Sequence, residues 1–154
     1  IKNKVTKEYL PQLIPPGTKG VIRGNTFNNI IKDYITNLEL EEEQYEVKFE
    51  SKCDDFLTSE IPDWYILHKT KNKILIGMNQ LDLWSGGHQL NRGFKYLENN
   101  KHNTENSKLL CVICNHIDFK KTTNKAYKLF QIGYEKNTLC YIKNLKHIIR
   151  LYFA

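Results

Sequence analysis

The sequence EIPDWYILHKTKNKILIGMNQLDLW, residues 60–84, decides the predicted fold. Two short apolar runs flank the basic segment KTKNK, a pattern typical of two β-strands joined by a tight turn. In an antiparallel pair the sum of the paired residue numbers stays constant, so a turn near residues 69–72 brings Asp63 close to the segment 78–80. The sequence therefore predicts a hairpin with a carboxylate and two amide side chains, Asn79 and Gln80, at its open end.

An amphipathic helix is predicted before the hairpin, over about residues 26–38, with Asn25 or Thr26 as its N-cap. The segment 1–20 contains three prolines and two glycines in YLPQLIPPGTKG, which predicts an extended N-terminal arm. The helix has apolar residues at i, i+3 and i+4 spacing, which indicates one buried face. These residues are Phe27, Ile30, Ile31, Tyr34, Ile35 and Leu38.

The remaining segments complete a mixed α/β pattern. QYEVKFES alternates apolar and charged residues like a half-buried strand, and KLLCVICNH is an apolar run suited to a strand covered on both faces. HQLNRGFKYLEN, TTNKAYKLFQIG and KNLKHIIRLYF are predicted helices, the second ending at Gly133, and TLCYI is a last strand. We therefore expect one domain, 1–154, of the α/β (α+β) class, with a central mixed sheet of about five strands flanked by helices.

Composition favours a polyanionic partner. The chain has 23 Lys and Arg against 17 Asp and Glu, a net charge of +6 and a pI near 9.0, and nucleic acid is the leading candidate. Most of the acidic residues lie between 39 and 63, so one surface is expected to be acidic. No apolar run approaches the length of a membrane span. Four cysteines without scaffold-like spacing indicate thiols in a reducing compartment, and we expect a cytoplasmic protein.

The open end of the hairpin carries residue types suited to phosphodiester hydrolysis. That reaction needs a metal ion that polarises the phosphoryl oxygen and acidifies a water, together with a group that orients the water. Mg²⁺ prefers oxygen ligands and takes only one or two carboxylates from a protein. Asp63 is the candidate carboxylate. The alternative interpretation is a turn cap at Asp63 and a surface amide at Gln80.

Pro62-Asp63 at the start of one strand and a polar triplet at the end of the next resemble the PD-(D/E)XK nuclease superfamily, and within it the type II restriction endonucleases. The layout covers residues 24–115. The resemblance implies that Asp63 binds Mg²⁺ with help from the Asn79 carbonyl, and that Gln80 stands where the family has the lysine that orients water. Met78 stands where the family has a second acid.

Met78 departs from the family pattern because a thioether is a poor ligand for a hard cation. Glu50 and Asp82 are the leading candidates for the missing acid. Glu50 ends the neighbouring predicted strand, and Asp82 lies two residues beyond Gln80. The triplet Glu50-x-Lys52 is an alternative signature at a strand end, and an inactive site is the remaining alternative.

Two basic segments are candidates for DNA contact. Gly86-Gly87 allows close approach of the backbone to a phosphate, and donors to phosphates and base edges follow it. The second basic segment, DFKKTTNKAYK, follows the apolar run KLLCVICNH. The alternative for both is an ordinary solvated helix surface. The candidate DNA-binding residues are His88, Gln89, Asn91, Arg92, Lys95, Lys120, Lys121 and Asn124.

Cys111-x-x-Cys114 with His116 suggests zinc, but residues three apart on a strand face opposite sides, so buried strand thiols are the preferred interpretation.

The expected function is a Mg²⁺-dependent endonuclease that cuts double-stranded DNA at a specific site as a homodimer. The rival interpretations are a repair, resolvase or homing nuclease, a non-catalytic DNA-binding protein on the same fold, and a basic domain that contacts only proteins.

Overall fold

The computed structural model describes residues 16–53, 61–80, 104–113 and 124–154. These residues form three helices and five strands. In chain order they are α1 (Pro16–Thr36), β1 (Tyr45–Phe49), β2 (Trp64–His68), β3 (Lys73–Gln80), β4 (Ser107–Ile113), α2 (Asn124–Glu135), β5 (Leu139–Tyr141) and α3 (Ile142–Phe153).

The five strands form one mixed sheet in the order β1-β2-β3-β4-β5. β1, β2 and β3 pair in antiparallel fashion, whereas β4 and β5 extend the sheet in parallel. The hairpin pairs Trp64 with Gly77 and His68 with Lys73, which places Asp63 beside the end of β3. The predicted mixed sheet, its five strands and the register of the hairpin are therefore confirmed.

Helix α1 starts earlier than predicted. It begins at Pro16, so residues 16–20 are helical and do not belong to an extended arm, and neither Asn25 nor Thr26 is the N-cap. Proline fits the first turn of a helix because its fixed φ is helical and its missing N–H has no partner to lose there. Gly17 and Gly20 have low helix propensity, so the sequence pattern does not predict this turn. The rest of the predicted arm, residues 1–15, lies outside the described part of the chain.

The main core lies between α1, α3 and one face of the sheet. Phe27, Ile31 and Ile35 form the buried stripe of α1, as the spacing predicts, while Ile30 is 42% exposed and lies outside that stripe. Burial of this stripe stabilises the helix far more than the weak propensity of its glycines and asparagines can. The other members are Trp64, Ile66, Leu75, Leu110, Val112, Cys140, Leu145, Ile148, Ile149 and Phe153.

A second, smaller apolar cluster covers the opposite face of the sheet. Successive side chains of a strand point to opposite faces, so β3 contributes Leu75 to the main core and Met78 to this second cluster. Strand β4 is buried from Leu109 to Ile113, which confirms the prediction of a strand covered on both sides. The members of the second cluster are Cys53, Ile74, Ile76, Met78 and Leu109.

Helix α2 continues two residues beyond the predicted end at Gly133. The residue that ends it is Asn137, whose φ of 55° lies in the left-handed region. Thr138 N–H donates to the Gly133 carbonyl at 2.9 Å and Asn137 N–H donates to the Tyr134 carbonyl at 3.3 Å. This is the Schellman arrangement with asparagine in the usual glycine position. The left-handed residue is Asn137, and Gly133 contributes its carbonyl as an acceptor.

Two lysines of the hairpin hold the C-terminal end of α3. Lys71 Nζ donates to the Phe153 carbonyl at 2.6 Å and Lys73 Nζ donates to the Tyr152 carbonyl at 2.8 Å. The last carbonyls of a helix have no partner within it and carry partial negative charge, so an ammonium there is stabilising.

Of the described helices, none has the length and apolarity needed to cross a membrane.

Gly77→Ala tests the closest contact in the sheet. A Cβ at position 77 would overlap the ring of Trp64, so we expect the substitution to lower the free energy of unfolding by about 3 kcal/mol. Urea unfolding followed by circular dichroism measures this loss. In a Trp64→Leu background the added alanine should cost much less, because the two positions are in contact. Equal costs in both backgrounds would contradict the contact.

Candidate active site

The indole of Trp64 connects the core to the open end of the hairpin. Its ring lies against Gly77, and its Nε1–H donates to Asn79 Oδ1 at 2.9 Å. Asn79 Nδ2 in turn donates to Asn28 Oδ1 of α1 at 3.1 Å. Because both the amide oxygen and the amide nitrogen are bound, the Asn79 side chain is held in one orientation between the sheet and the helix.

Asp63 lies at the bend before β2 and is bound by the facing strand. Its backbone N–H donates to the Gly77 carbonyl at 3.1 Å, and its Oδ2 accepts the Asn79 backbone N–H at 2.6 Å. A hydrogen bond to a carboxylate oxygen is short and strong because the acceptor is charged. A carboxylate offers about four lone-pair sites, so this bond is compatible with coordination of a metal ion.

Glu50 comes to the same place from β1. Its φ of 49° lies in the left-handed region, so the chain turns sharply where β1 ends. Its backbone N–H donates to the Asp63 carbonyl at 3.0 Å, which joins the backbones of the two acidic residues directly. The Glu50 side chain is exposed, whereas Asp63 is half-buried.

The two carboxylates line one open pocket with a volume of about 50 Å³. Lys32 reaches this pocket from α1, with its Nζ 5.5 Å from the centre of the Phe49 ring. The pocket thus combines two carboxylates, side-chain amides and one ammonium group. The lining residues are Asn28, Asn29, Lys32, Phe49, Glu50, Asp63, Trp64 and Asn79.

The predicted site residues are brought together only in part. Asp63, Glu50 and Asn79 share the pocket, as the hairpin register and the strand end of β1 predict. The part of Asn79 that contacts Asp63 is its backbone N–H. Met78 lies in the second apolar cluster at 2% exposure, on the opposite face of the sheet. Gln80 ends β3, and its side chain, like Asp82, lies outside the described part of the structure.

Sequence reasoning missed the contribution of α1. Asn28 and Lys32 are four residues apart and so share one face of the helix, beside the buried stripe. A polar i, i+4 pair next to an apolar stripe is a detectable signal, but it is equally typical of a solvated helix flank. Trp64 was also missed, because a tryptophan at a strand start is most often a core residue.

The candidate DNA-binding residues lie almost entirely outside the description. Residues 88–95, 120 and 121 are not among the described residues, and Asn124 is described only as the first residue of α2. The two segments are nevertheless attached near the pocket. Residues 81–103 follow Gln80 in sequence, residues 114–123 follow Ile113, and Gln80 and Ile113 are register partners in a parallel pair.

The pocket fits a hard cation by its chemistry. Carboxylate and amide oxygens are the ligands that Mg²⁺ uses, and Mg²⁺ keeps several waters, so two protein carboxylates suffice. Within the described ranges no three His, Cys, Asp or Glu side chains cluster as a metal cage. A cation held by Asp63 and Glu50 would need water to complete its coordination.

The cysteines support the interpretation as buried strand thiols. Cys111 is fully buried in β4, and Cys140 in β5 is 1% exposed. Burial raises the pKa of the Cys140 thiol to about 12, so this group stays protonated at neutral pH. Cys114 and His116 lie outside the described residues.

Comparison with known proteins gives no relative. No family model matches the chain, and no curated protein or solved structure matches it significantly.

The Cys140 thiol predicts a loss of stability in alkali. Its ordinary pKa is 9.0 and its folded pKa is about 12, so its contribution is fully present below pH 9 and is lost as the pH rises from 9 to 12. In that range the loss approaches about 1.4 kcal/mol per pH unit. Urea unfolding at several pH values should show a smaller alkaline slope for Cys140→Ala than for the parent. An unchanged slope would refute the assignment.

Proposed function

We propose that this protein is a Mg²⁺-dependent endonuclease that hydrolyses phosphodiester bonds of double-stranded DNA, similar in kind to type II restriction endonucleases. The observation that carries the proposal is the meeting of Asp63 and Glu50 in one pocket. They come from the ends of different strands, and the Glu50 N–H to Asp63 carbonyl bond joins them. Two acidic residues that the fold brings together from separate parts of the chain are a more specific sign of a functional site than two acidic residues adjacent in sequence.

The residues of the pocket have separable roles in this proposal. Asp63 and Glu50 would hold the metal, which when bound polarises the phosphoryl oxygen and lowers the pKa of a bound water. The Asn79 N–H fixes the Asp63 carboxylate, and the contacts to Trp64 and Asn28 fix Asn79. A ligand fixed before the metal binds needs little rearrangement.

Lys32 supplies the positive charge that the resemblance assigns to a strand lysine. Gln80 stands at that sequence position, whereas Lys32 lines the pocket from the helix. An ammonium at this place attracts the scissile phosphate, stabilises the charge that develops on it and orients the attacking water. We therefore assign the cationic role to Lys32 and retain Gln80 as a candidate for positioning water.

The placement of the basic segments supports DNA as the substrate. Both follow the ends of β3 and β4 in the sequence, where Gln80 and Ile113 are register partners, and the chain carries a net charge of +6. Lys and Arg side chains near a catalytic pocket would neutralise backbone phosphates and hold the duplex. The candidates for this role remain His88, Gln89, Asn91, Arg92, Lys95, Lys120, Lys121 and Asn124.

A non-catalytic DNA-binding protein on the same fold is the second candidate. The observation that favours it is Met78, whose side chain is buried in the second apolar cluster. No acid could act from that position, so the pocket depends on Asp63 and Glu50 alone among the described carboxylates. Binding without cleavage in the presence of Mg²⁺ or Mn²⁺ would favour this candidate. Cleavage of branched rather than linear duplexes would favour a resolvase.

Asp63→Asn and Glu50→Gln test the two proposed metal ligands. Each keeps the size of the side chain and removes its charge, so we expect plasmid cleavage with Mg²⁺ to fall at least about 100-fold, a loss typical of key catalytic groups. Glu43→Gln is the matched control, because Glu43 is exposed in the turn before β1. Full cleavage by Asp63→Asn would refute the site.

Lys32→Met tests the helix-borne cation. Loss of the ammonium should lower the cleavage rate by roughly 10- to 100-fold while the fold persists, because Lys32 is exposed and its apolar stem is retained. Lys146→Met is the control, since Lys146 is an exposed lysine on α3. Equal activity of the two variants would exclude Lys32 from the reaction.

A further inference from the structure

Strand β1 is an edge of the sheet, with β2 on one side and no strand of the described sheet on the other. Gln44 accepts from Lys69 N–H, and Glu50 donates to the Asp63 carbonyl, so both residues direct hydrogen-bonding groups toward β2. Antiparallel ladders alternate, and Tyr45, Val47 and Phe49 therefore direct their backbone groups outward. Such an edge is a template for another strand.

We infer that β1 pairs with β1 of a second copy of this chain, in antiparallel fashion about a two-fold axis at Val47. In this register Val47 faces the partner's Val47, and Tyr45 faces the partner's Phe49. Glu46 then faces the partner's Lys48, twice by symmetry. The sequence YEVKF is thus complementary to itself in charge and in size.

Charge selects this arrangement over its alternatives. Opposite charges directly across an antiparallel pair are stabilising, and like charges are destabilising. Parallel pairing in register would place Glu46 beside Glu46 and Lys48 beside Lys48. A shift of the register by one residue would direct the partner's apolar side chains to the opposite face of the sheet. The alternation of Glu46 and Lys48 therefore favours a second copy in this antiparallel register.

The hydrogen-bonding groups of the edge fit the same register. Val47 offers both N–H and C=O to the partner's Val47, and Phe49 N–H can donate to the partner's Tyr45 carbonyl. The third bond of an ideal ladder, from Tyr45 N–H to the partner's Phe49 carbonyl, is not needed to satisfy these two groups, because each already has a partner within its own chain. Tyr45 N–H donates to the Glu41 carbonyl at 2.8 Å, and Ser51 Oγ donates to the Phe49 carbonyl at 3.1 Å.

A groove with apolar side chains and a polar rim of Thr36, Glu39 and Glu42 lies along the same edge and would receive the partner's side chains. It has a volume of about 330 Å³ and runs between the C-terminal end of α1 and β1. Tyr45, Val47 and Phe49 are only half-buried there and face the helix side of the sheet. The partner's equivalent residues face the same side under the two-fold axis and would cover the groove.

The pairing also places two pockets on one face of a continuous sheet. Glu50 lies three residues from the axis at Val47, so the two Glu50 positions are separated by about 20 Å along the strands. This consequence alone rests on the proposed function: two sites on one face could act on both strands of one duplex. The pairing itself needs neither DNA nor metal.

Light scattering coupled to size exclusion tests the pairing on the full chain without DNA or metal. We expect a mass of twice 18.2 kDa at high micromolar concentration. Glu46→Lys and Lys48→Glu, each alone, create two repulsive pairs and should weaken the dimer by roughly tenfold or more. The double variant Glu46→Lys/Lys48→Glu restores two attractive pairs and should restore the dimer.

Val47→Pro is a second test that leaves the β1–β2 ladder intact. Proline is tolerated on an edge strand where the missing N–H faces outward, so the monomer should stay folded by circular dichroism while the dimer is lost. A monomeric parent would overturn the inference, and so would a dimer that the single charge variants do not weaken. Failure of the double variant to restore the dimer would overturn the register. None of these outcomes depends on nuclease activity.

Discussion

The indole of Trp64 lies directly on Gly77 of the facing strand, and the candidate site depends on that contact. Only a residue without a side chain leaves room for the ring. The ring then presents its Nε1–H to Asn79, which reaches Asn28 on α1 and binds Asp63 through its backbone. One packing constraint in the core therefore fixes the orientation of a carboxylate at the rim of the sheet.

The architecture was predictable where a residue pattern has one physical interpretation. The alternation of QYEVKFES, the hairpin of residues 60–84 and the apolar run KLLCVICNH predicted strands where β1 to β4 lie, because burial on one or both faces requires those patterns. The helix boundaries were less predictable. Pro16 begins α1 within a segment that resembles a loop, and Asn137 replaces the glycine expected to end α2.

The two carboxylates of the candidate site could be predicted from the sequence, but its lysine could not. The constant sum along the hairpin ladder places Asp63 beside the end of β3, and the end of β1 places Glu50 beside Asp63. The face of each β3 residue was not fixed by the resemblance, which aligned Met78 with an acid. Only the structure shows that Asn79 faces α1 and Met78 the opposite cluster. Lys32 could not be assigned, because helix position does not reveal what the helix covers.

Two groups of acidic residues in the described part of the chain lie at opposite ends of β1. The acidic turn Glu41–Glu43 lies at the start of β1, and Asp63 and Glu50 lie at its other end. An acidic cluster in a basic protein is expected either in solvent or beside a cation. The residues of the turn are exposed to solvent. The carboxylates of the pocket instead share it with Lys32 and amide groups.

A titration with Mn²⁺, followed by nuclear magnetic resonance of the backbone amides, shows whether the pocket of Asp63 and Glu50 binds a divalent cation. Paramagnetic broadening reports which residues lie near the bound ion. We expect the amides of Asp63, Asn79 and Glu50 to broaden first, Mg²⁺ to compete, and Asp63→Asn to remove the effect. Broadening that begins at Glu41–Glu43 and leaves the pocket amides unchanged would contradict this expectation.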